Sequence, residues 1–582
     1  MKRKLWSLLL CIVLLSGGLY GCGTGKISDS SACPYEETIV VDVFDSLANF
    51  QGIQSGWFAK IVKDKFNMEL NIIAPNVSGG GETLFETRCA AGNLGDLIIC
   101  TAENGTLEEL ISSNLIIDMS EYLSDKQIMR YKYTIDLLND DLGENCIYAI
   151  PSEISLQSAT TPAEGLDPTF GPYLRWDLYE QLGCPEIGTL EDLLPVLKQM
   201  QELYPETESG QKTYGFSFFS DWDGNLMNAA KQPCCFYGYD EFGFLLAKAD
   251  GSDYQDIADS DSLYMRVLKL YFDANQLGLV DPESRTQNYD QFYQKYVDGS
   301  ILYCPWPWLC QSAYNTTDHM NQGMGYMMSV IQDMQIFSYG CNPEGNQKTV
   351  ICIGSNARDP ERLADFIDWL YSPEGIMIGM AQEKDGTAGP QGLCWDMDEN
   401  GEPYLTDFGT ETFLNGGSVV PDEWGGGTWK DGISALNYKP ISRLDLTPEG
   451  FPYYYALWDS VCSKNLSPLE ESWQTYSGAS NAVEYLREHD LLLVAPGTGY
   501  VSPKESSEIT AIRSQCRNVI TDYSWKMVFA EDEDEFYALM TEMQNKLHAL
   551  GYEQVCENDL ANAKAQNEAR MAAAAAVLEQ TE

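Results

Sequence analysis

Between residues 38 and 111 the chain alternates β-branched runs with helical patterns, and this alternation limits its fold more than any other feature. Residues 38–44 (TIVVDVF) alternate apolar and polar positions and predict a strand; 57–66 predict a helix, 70–74 a second strand and 96–100 a third. Thr106 with Glu109 three residues on has the spacing of a capping box, opening a short helix through Ile111. Parallel neighbours need a crossover, and a β-α-β-α-β order supplies one each time, so a mostly parallel, helix-covered sheet is expected. Ligands of such sheets sit at the carboxyl ends of the strands. That makes Trp57, Asn76, Glu103 and Asn104 candidate ligand-binding residues of this region. Residues 148–151 (YAIP) break the pattern as a segment crossing between two units would, and a second α/β region begins at Tyr173. In it Thr189 with Asp192 starts a helix, 264–277 and 289–297 are helical, and the short strand 301–304 runs into Pro305-Trp306-Pro307-Trp308. The apolar stripes of 360–381 and of 536–550 read as core, and the Ala-rich run 571–577 as a frayed helix end.

The first residues place the protein. Met1-Lys2-Arg3-Lys4 is a basic start, and residues 5–15 (LWSLLLCIVLL) form an apolar stretch of signal-peptide length, too short for a spanning helix. Leu19-Tyr20-Gly21-Cys22 resembles a bacterial lipobox, with Tyr20 departing from the usual small or aliphatic residue, so Cys22 is the expected lipidation site. Residues 23–37 are small and polar and read as a flexible tether. The expected location is the extracellular face of the cell membrane, held by lipid on Cys22. With 36 basic against 87 acidic residues the formal charge is −51, which excludes a nucleic-acid partner and a polybasic membrane-surface protein. Three histidines far apart argue against His-based catalysis or a His-rich metal centre. The 17 cysteines are dispersed, with one vicinal pair, Cys234-Cys235, and no C-x-x-C, so most read as buried small hydrophobes.

In order and spacing these segments resemble an extracellular solute-binding protein of an ABC transporter, of the carbohydrate-binding family 1 type found as Gram-positive lipoproteins. The pieces that carry the resemblance are the lipobox Cys22, the first strand with Trp57 on the following helix, and Gly95-Asp96 leading to 118–123 (DMSEYL). They continue with 148–151, 173–183 (YLRWDLYEQLG), Thr189, 214–216 (YGF), 292–299, 304–308 (CPWPW) and 358–375 (RDPERLADFIDWLYSPEG). The resemblance implies an α/β, two-lobe, periplasmic-binding-protein-like (type II) fold with lobes interleaved in sequence and joined by a hinge. It divides the chain into signal peptide 1–21, tether 22–37, lobe I (38–150 and 331–395) and lobe II (151–330 and 396–582, with the C-terminal helices). It also implies ABC permease subunits as partners, a monomer, no enzymatic activity and no cofactor.

A sugar ring presents an apolar C–H face and a rim of hydroxyls, so its site needs flat aromatic platforms with planar polar groups beside them. The chain has 13 Trp and 34 Tyr. Trp306 and Trp308 flank a proline after a strand, where they cannot both be buried, and the family carries this segment on the second lobe's cleft wall. Trp222 and Asp223 lie in a polar loop (221–225, DWDGN), and Phe236 and Tyr237 form a similar, weaker pair. Arg175 could reach ligand hydroxyls or form a salt bridge. Trp424 and Trp429 sit in a Gly-rich loop (423–430, EWGGGTWK) that lines a cleft entrance or is only an irregular connection. Asp396, Asp398 and Asn400 match the start of a calcium loop, D-x-D-x-N-G, but no flanking helices are evident, and a hairpin on Asn400-Gly401 is the favoured reading; no metal is expected. The function expected is capture of a carbohydrate, an oligosaccharide above all, for import. The alternatives are a cell-surface glycoside hydrolase, for which no acid pair stands out, and a peptide-binding lipoprotein of the same fold.

Overall fold

The computed structural model describes residues 33–78, 81–140, 142–143, 145–382, 386–414, 418–462 and 466–580. Cys22 lies outside the described residues, as does the whole lipobox.

The alternation seen in the sequence becomes a six-stranded sheet. Its strand order is Gly52–Ile53, Met68–Ile73, Ile39–Asp45, Leu97–Cys100, Asn346–Ile353, Ile150–Ser152. Ile39–Asp45 pairs in parallel with both Met68–Ile73 (Val41 opposite Leu70) and Leu97–Cys100 (Val43 opposite Leu97). Asn346–Ile353 enters antiparallel between two strands that precede it by some two hundred residues or more. Because side chains alternate along a strand, the two faces bury different sets. Val41, Val43, Leu97, Ile99, Ile351 and Ile353 pack with Trp57, Phe58, Phe366 and Trp369, while Phe44, Ile98, Cys100, Val350 and Cys352 pack with Leu107 and Leu110 on the other side. The helix after residue 105 begins at Thr106, with Gly105 at the cap position in the left-handed region and no side-chain cap, so the expected capping box does not form.

A second core gathers residues from Phe170 through Phe337 and from Leu469 through Val555. At its centre Tyr173–Arg175 pairs antiparallel with Tyr303–Cys304 and Tyr326–Met328. The Thr189 start is as expected, its N–H donating to Asp192 Oδ2 at 2.9 Å. Three helices, Ser507–Val528, Glu533–Leu550 and Tyr552–Gln580, close this unit. The run 571–577 is the last part of the 29-residue helix Tyr552–Gln580. The stripe 360–381 is divided into Pro360–Leu370 and Pro373–Gly379, because Pro373 cannot continue the preceding helix.

The chain leaves the first core after Ile154, leaves the second after Phe337 and leaves the first again after Trp458. The later divisions thus differ from those expected at 330 and 395. Met334, Ile336 and Phe337 are still buried in the second core, whereas Phe413, Trp429, Tyr455 and Trp458 are buried in the first. The segment 433–445 is what ties 396–458 to the first sheet. Gln54 Nε2 donates to the Ile433 carbonyl at 2.7 Å, the Asn437 N–H to Asp45 Oδ2 at 2.8 Å, and the Glu153 N–H to the Lys439 carbonyl at 2.7 Å.

The passages between the cores run side by side. Pro162 bridges Gly340, Ile154 bridges Ile441, and the Gly497 N–H donates to the Ala159 carbonyl at 3.0 Å. A Cβ on Gly340 would lie 2.0 Å from the Ala159 oxygen, and one on Gly497 2.0 Å from the Cys341 oxygen, so only glycine permits this approach. Among the described residues no helix is long and apolar enough to cross a membrane.

Candidate functional site

A cluster of partly exposed aromatic rings lies on the second unit. The loop 221–225 is pinned by its two aspartates. Asp221 Oδ2 accepts the Tyr289 N–H at 2.9 Å, and Asp223 accepts the Asn228 N–H at 2.8 Å and Trp525 Nε1–H at 2.7 Å. With the loop held by these bonds, Trp222 is left outside and 43% exposed. Its ring stacks on Tyr289 (centroids 4.7 Å, planes 26° apart) and lies 6.2 Å from Trp308 at 29°. Trp308 is on the first turn of the helix Pro307–Tyr314, whose Leu309, Cys310, Ala313 and Tyr314 are buried. That amphipathic pattern turns Trp308 outward, 45% exposed. Trp306 lies beneath both, 6% exposed, at 6.0 Å from Trp222 and 6.1 Å from Trp308. The result is a ledge of near-parallel rings, two of them partly exposed.

The ledge stands beside the first passage between the units. The Gly171 N–H donates to the Pro305 carbonyl at 3.1 Å, and Gln311 of the ledge helix hydrogen-bonds Asp167. Burial pushes the Asp167 carboxyl up, although Tyr173 Oη donates to it at 2.5 Å. Arg443, on the first unit's segment 433–445, packs against Gly165 and lies over the Tyr454 ring at 5.0 Å. Burial pushes Glu164 up as well; it accepts from Ser338 Oγ at 2.5 Å. Past the ledge helix the units meet once more, where Thr317 Oγ1 donates to the Leu414 carbonyl at 2.6 Å.

Two further buried acids mark this boundary. Asp45 ends the strand Ile39–Asp45 and Asp445 accepts Ser155 Oγ and the Leu156 N–H, both at 3.1 Å; burial raises each to about 6 from 3.8. A folded carboxyl with a raised pKa binds its proton more tightly than the unfolded one. The stability this contributes is complete below about pH 4 and lost as pH rises through about 6. Asp445→Asn is therefore expected to be more stable than the parent at pH 7.5, by about 2 to 3 kcal/mol, and equal to it near pH 4. Urea unfolding at the two pH values measures this, and a gap unchanged with pH contradicts it.

Of the residues singled out in the sequence, Trp222, Trp306 and Trp308 come together, with Asp223 holding the loop rather than facing outward. Trp57 and Trp429 are instead packed on each other, 4.4 Å apart and 13° from parallel, with Trp57 Nε1 donating to the Trp429 carbonyl at 3.1 Å. Both rings are buried and offer no face to a ligand. Trp424 is half-buried against the same core, and the glycine-rich loop is a connection laid over the helix Gly56–Phe66. Arg175 is buried and bidentate to Asp177 at 2.9 and 3.0 Å, so it is the salt bridge and not the hydroxyl ligand. Phe236 is fully buried, and Tyr237 donates to Asp333 at 3.0 Å. Glu103 is at the expected strand end, half-buried. The side chains of Asn76 and Asn104 lie outside the described residues. Residues 395–405 form the expected hairpin, Trp395–Met397 against Pro403–Leu405, with Asp398 Oδ1 accepting the N–H groups of Asn400 and Glu402 at 2.8 and 2.9 Å. Tyr289 went unnoticed in the sequence. Three and seven residues before Phe292 and Tyr296, at the first helical position after the Asn288 cap, it continues the face of those buried rings and is itself half-buried.

No family model matches the chain, and no curated protein sequence does either. Solved structures do. The ABC-transporter substrate-binding protein FusA of Streptococcus pneumoniae, in complex with kestose, is 14% identical with a TM-score of 0.56, covering 90% of this chain and 99% of its own. The alginate-binding protein AlgQ2 is 13% identical with a TM-score of 0.57, over 92% and 99%. A human-milk-oligosaccharide-binding, ABC-transporter-associated solute-binding protein of Bifidobacterium longum infantis is 15% identical with a TM-score of 0.56, over 92% and 99%. The chain has their two-lobe fold. The periplasmic-binding-protein-like architecture expected from the sequence is thus the one found, lobe I being the six-stranded unit and lobe II the unit that carries the ledge.

Proposed function

We propose that this protein is the substrate-binding component of an ABC importer and captures a carbohydrate, an oligosaccharide above all, between its lobes without altering it. The observation that carries this reading is the exposed, near-parallel Trp222–Trp308 ledge at the lobe boundary. Stacked aromatic faces match the C–H face of a pyranose or furanose ring and give a peptide backbone no comparable partner. The fold shared with FusA, whose complex holds kestose, supports it. The passages at 155–169 and 338–349 act as the hinge in this reading, and closure brings lobe I's strand ends over the ledge. Cys22 carries the lipid that holds the protein at the outer face of the membrane, and permease subunits receive the closed form.

The test is calorimetric titration with neutral oligosaccharides, followed by chromatography of the recovered sugar. Saturable binding with the sugar recovered intact is the expected result. A flat response to every sugar alongside binding of peptides contradicts it, and so does accumulation of shortened products. For the anchor, Cys22→Ser is expected to release the protein into the medium, and retention on the membrane contradicts lipidation there.

A further inference from the structure

Trp306 and Trp308 stand inside the sequence Cys304-Pro-Trp-Pro-Trp-Leu-Cys310, and the turn between strand and helix brings its two cysteines together. Cys304 is the last residue of the strand Tyr303–Cys304, and Cys310 ends the first turn of the helix Pro307–Tyr314. Both are fully buried, and both sulfurs reach one oxygen, the Trp306 carbonyl, Cys304 Sγ at 3.3 Å and Cys310 Sγ at 3.4 Å. The two sulfurs also hydrogen-bond each other. In this structure both are free thiols.

The shared carbonyl has more donors than it needs. The N–H groups of Leu309 and Cys310 reach it at 3.2 and 3.3 Å, so it stays satisfied when neither sulfur carries a hydrogen. A thiol is a weak donor, and removing both S–H groups here leaves no buried polar atom stranded. A second sulfur pair shows what backbone geometry forbids. Cys100 and Cys352 also touch, but on antiparallel strands where Val350 and not Cys352 stands opposite Cys100. Diagonal partners of that kind lie about 7–8 Å apart between Cα atoms, beyond the span of a disulfide.

We infer that Cys304 and Cys310 close a disulfide when the chain folds under oxidising conditions, stapling the strand end to the helix across the turn that carries Trp306 and Trp308. The oxidant is another disulfide, that of glutathione or of an oxidoreductase. The thiolate of one cysteine attacks it, and the second cysteine displaces the mixed disulfide so formed. One S–S bond forms in this chain and one breaks in the oxidant, which takes up two electrons and two protons and leaves as thiols. Because both sulfurs end in the core, the exchange precedes burial of the segment, and the finished bond is sealed from reductants. Such oxidants act on exported chains, whereas cytosolic thiols are kept reduced. The staple fixes the first helical turn, from which Trp308 stands 45% exposed.

The test refolds the reduced, full-length chain in a mixture of oxidised and reduced glutathione, denatures it, blocks the remaining thiols with iodoacetamide and maps the peptides by mass spectrometry. Cys304 and Cys310 are expected to escape blocking until a reductant is added, while Cys100 and Cys352 are blocked at once. Dithiothreitol applied before denaturation is expected to leave the bond intact. The oxidised form is expected to melt a few degrees above the same chain refolded in reductant, and Cys310→Ser is expected to leave Cys304 open to blocking after denaturation. Complete blocking of both Cys304 and Cys310 without reduction, or a crosslink from Cys304 to any other cysteine, overturns the inference. The capture reading does not depend on this bond and stands under either result.

Discussion

Replacing Trp222 or Trp308 by alanine is expected to weaken oligosaccharide binding by about thirtyfold each, or about 2 kcal/mol, with little change in stability. The separation of the two effects follows from where the rings are. Trp222 and Trp308 are 43% and 45% exposed, and each is turned out by an element whose anchoring lies elsewhere. The carboxylates of Asp221 and Asp223 fix the loop, and Leu309 and Cys310 fix the helix, so the cores scarcely register the loss. Because the rings stand about 6 Å apart at 29°, one extended sugar chain can lie across both, and the double variant loses more than either single one. Trp308→Phe keeps a flat face and is expected to retain part of the affinity. Titration of the four variants with one sugar ligand measures this, and unchanged affinity in Trp222→Ala and Trp308→Ala places the ligand elsewhere.

Trp57→Ala is expected to do the opposite, costing about 3 to 5 kcal/mol of stability while leaving the affinity of the folded protein intact. Trp57 is fully buried and stacked on Trp429, and its indole N–H satisfies the Trp429 carbonyl. Gly432 is held so close that a Cβ there would lie 2.3 Å from the indole, which measures how completely the site is filled. Truncation opens a cavity beneath the helix Gly56–Phe66, and the loop over it cannot collapse without breaking the Gln54–Ile433 and Asp45–Asn437 bonds. Chemical unfolding with titration of the same preparation separates the two effects. Loss of affinity at full stability would make Trp57 a ligand contact after all.

The contrast between these two tryptophan pairs shows what could be seen in the sequence. The first sheet was legible because period-two alternation and helical stripes lie within short windows: Val41, Val43 and Phe44 already declare the two faces of one strand. That Trp306 and Trp308 are not both buried is legible because prolines interrupt a strand there, and it is Trp308 that stays outside. Trp57 misled, since nothing near it in sequence reveals that Trp429, 372 residues on, covers its face. The same holds for the stretch 396–458, which has little periodicity and joins lobe I through long-range burial of Phe413, Trp429 and Trp458 and bonds such as Asn437 to Asp45. Arg175 was ambiguous because its partner Asp177, two residues away, is brought to the guanidinium only by the turn from the strand Tyr173–Arg175 into the helix that follows. Long-range covering of a side chain leaves no local trace in the sequence.

The most direct measurement is a crystal structure of the mature protein grown with an oligosaccharide that binds in titration. The account predicts an intact sugar with a ring over Trp222 or Trp308, enclosed between the lobes. An empty ledge with the ligand bound elsewhere, or a cleaved sugar at the boundary, would contradict it.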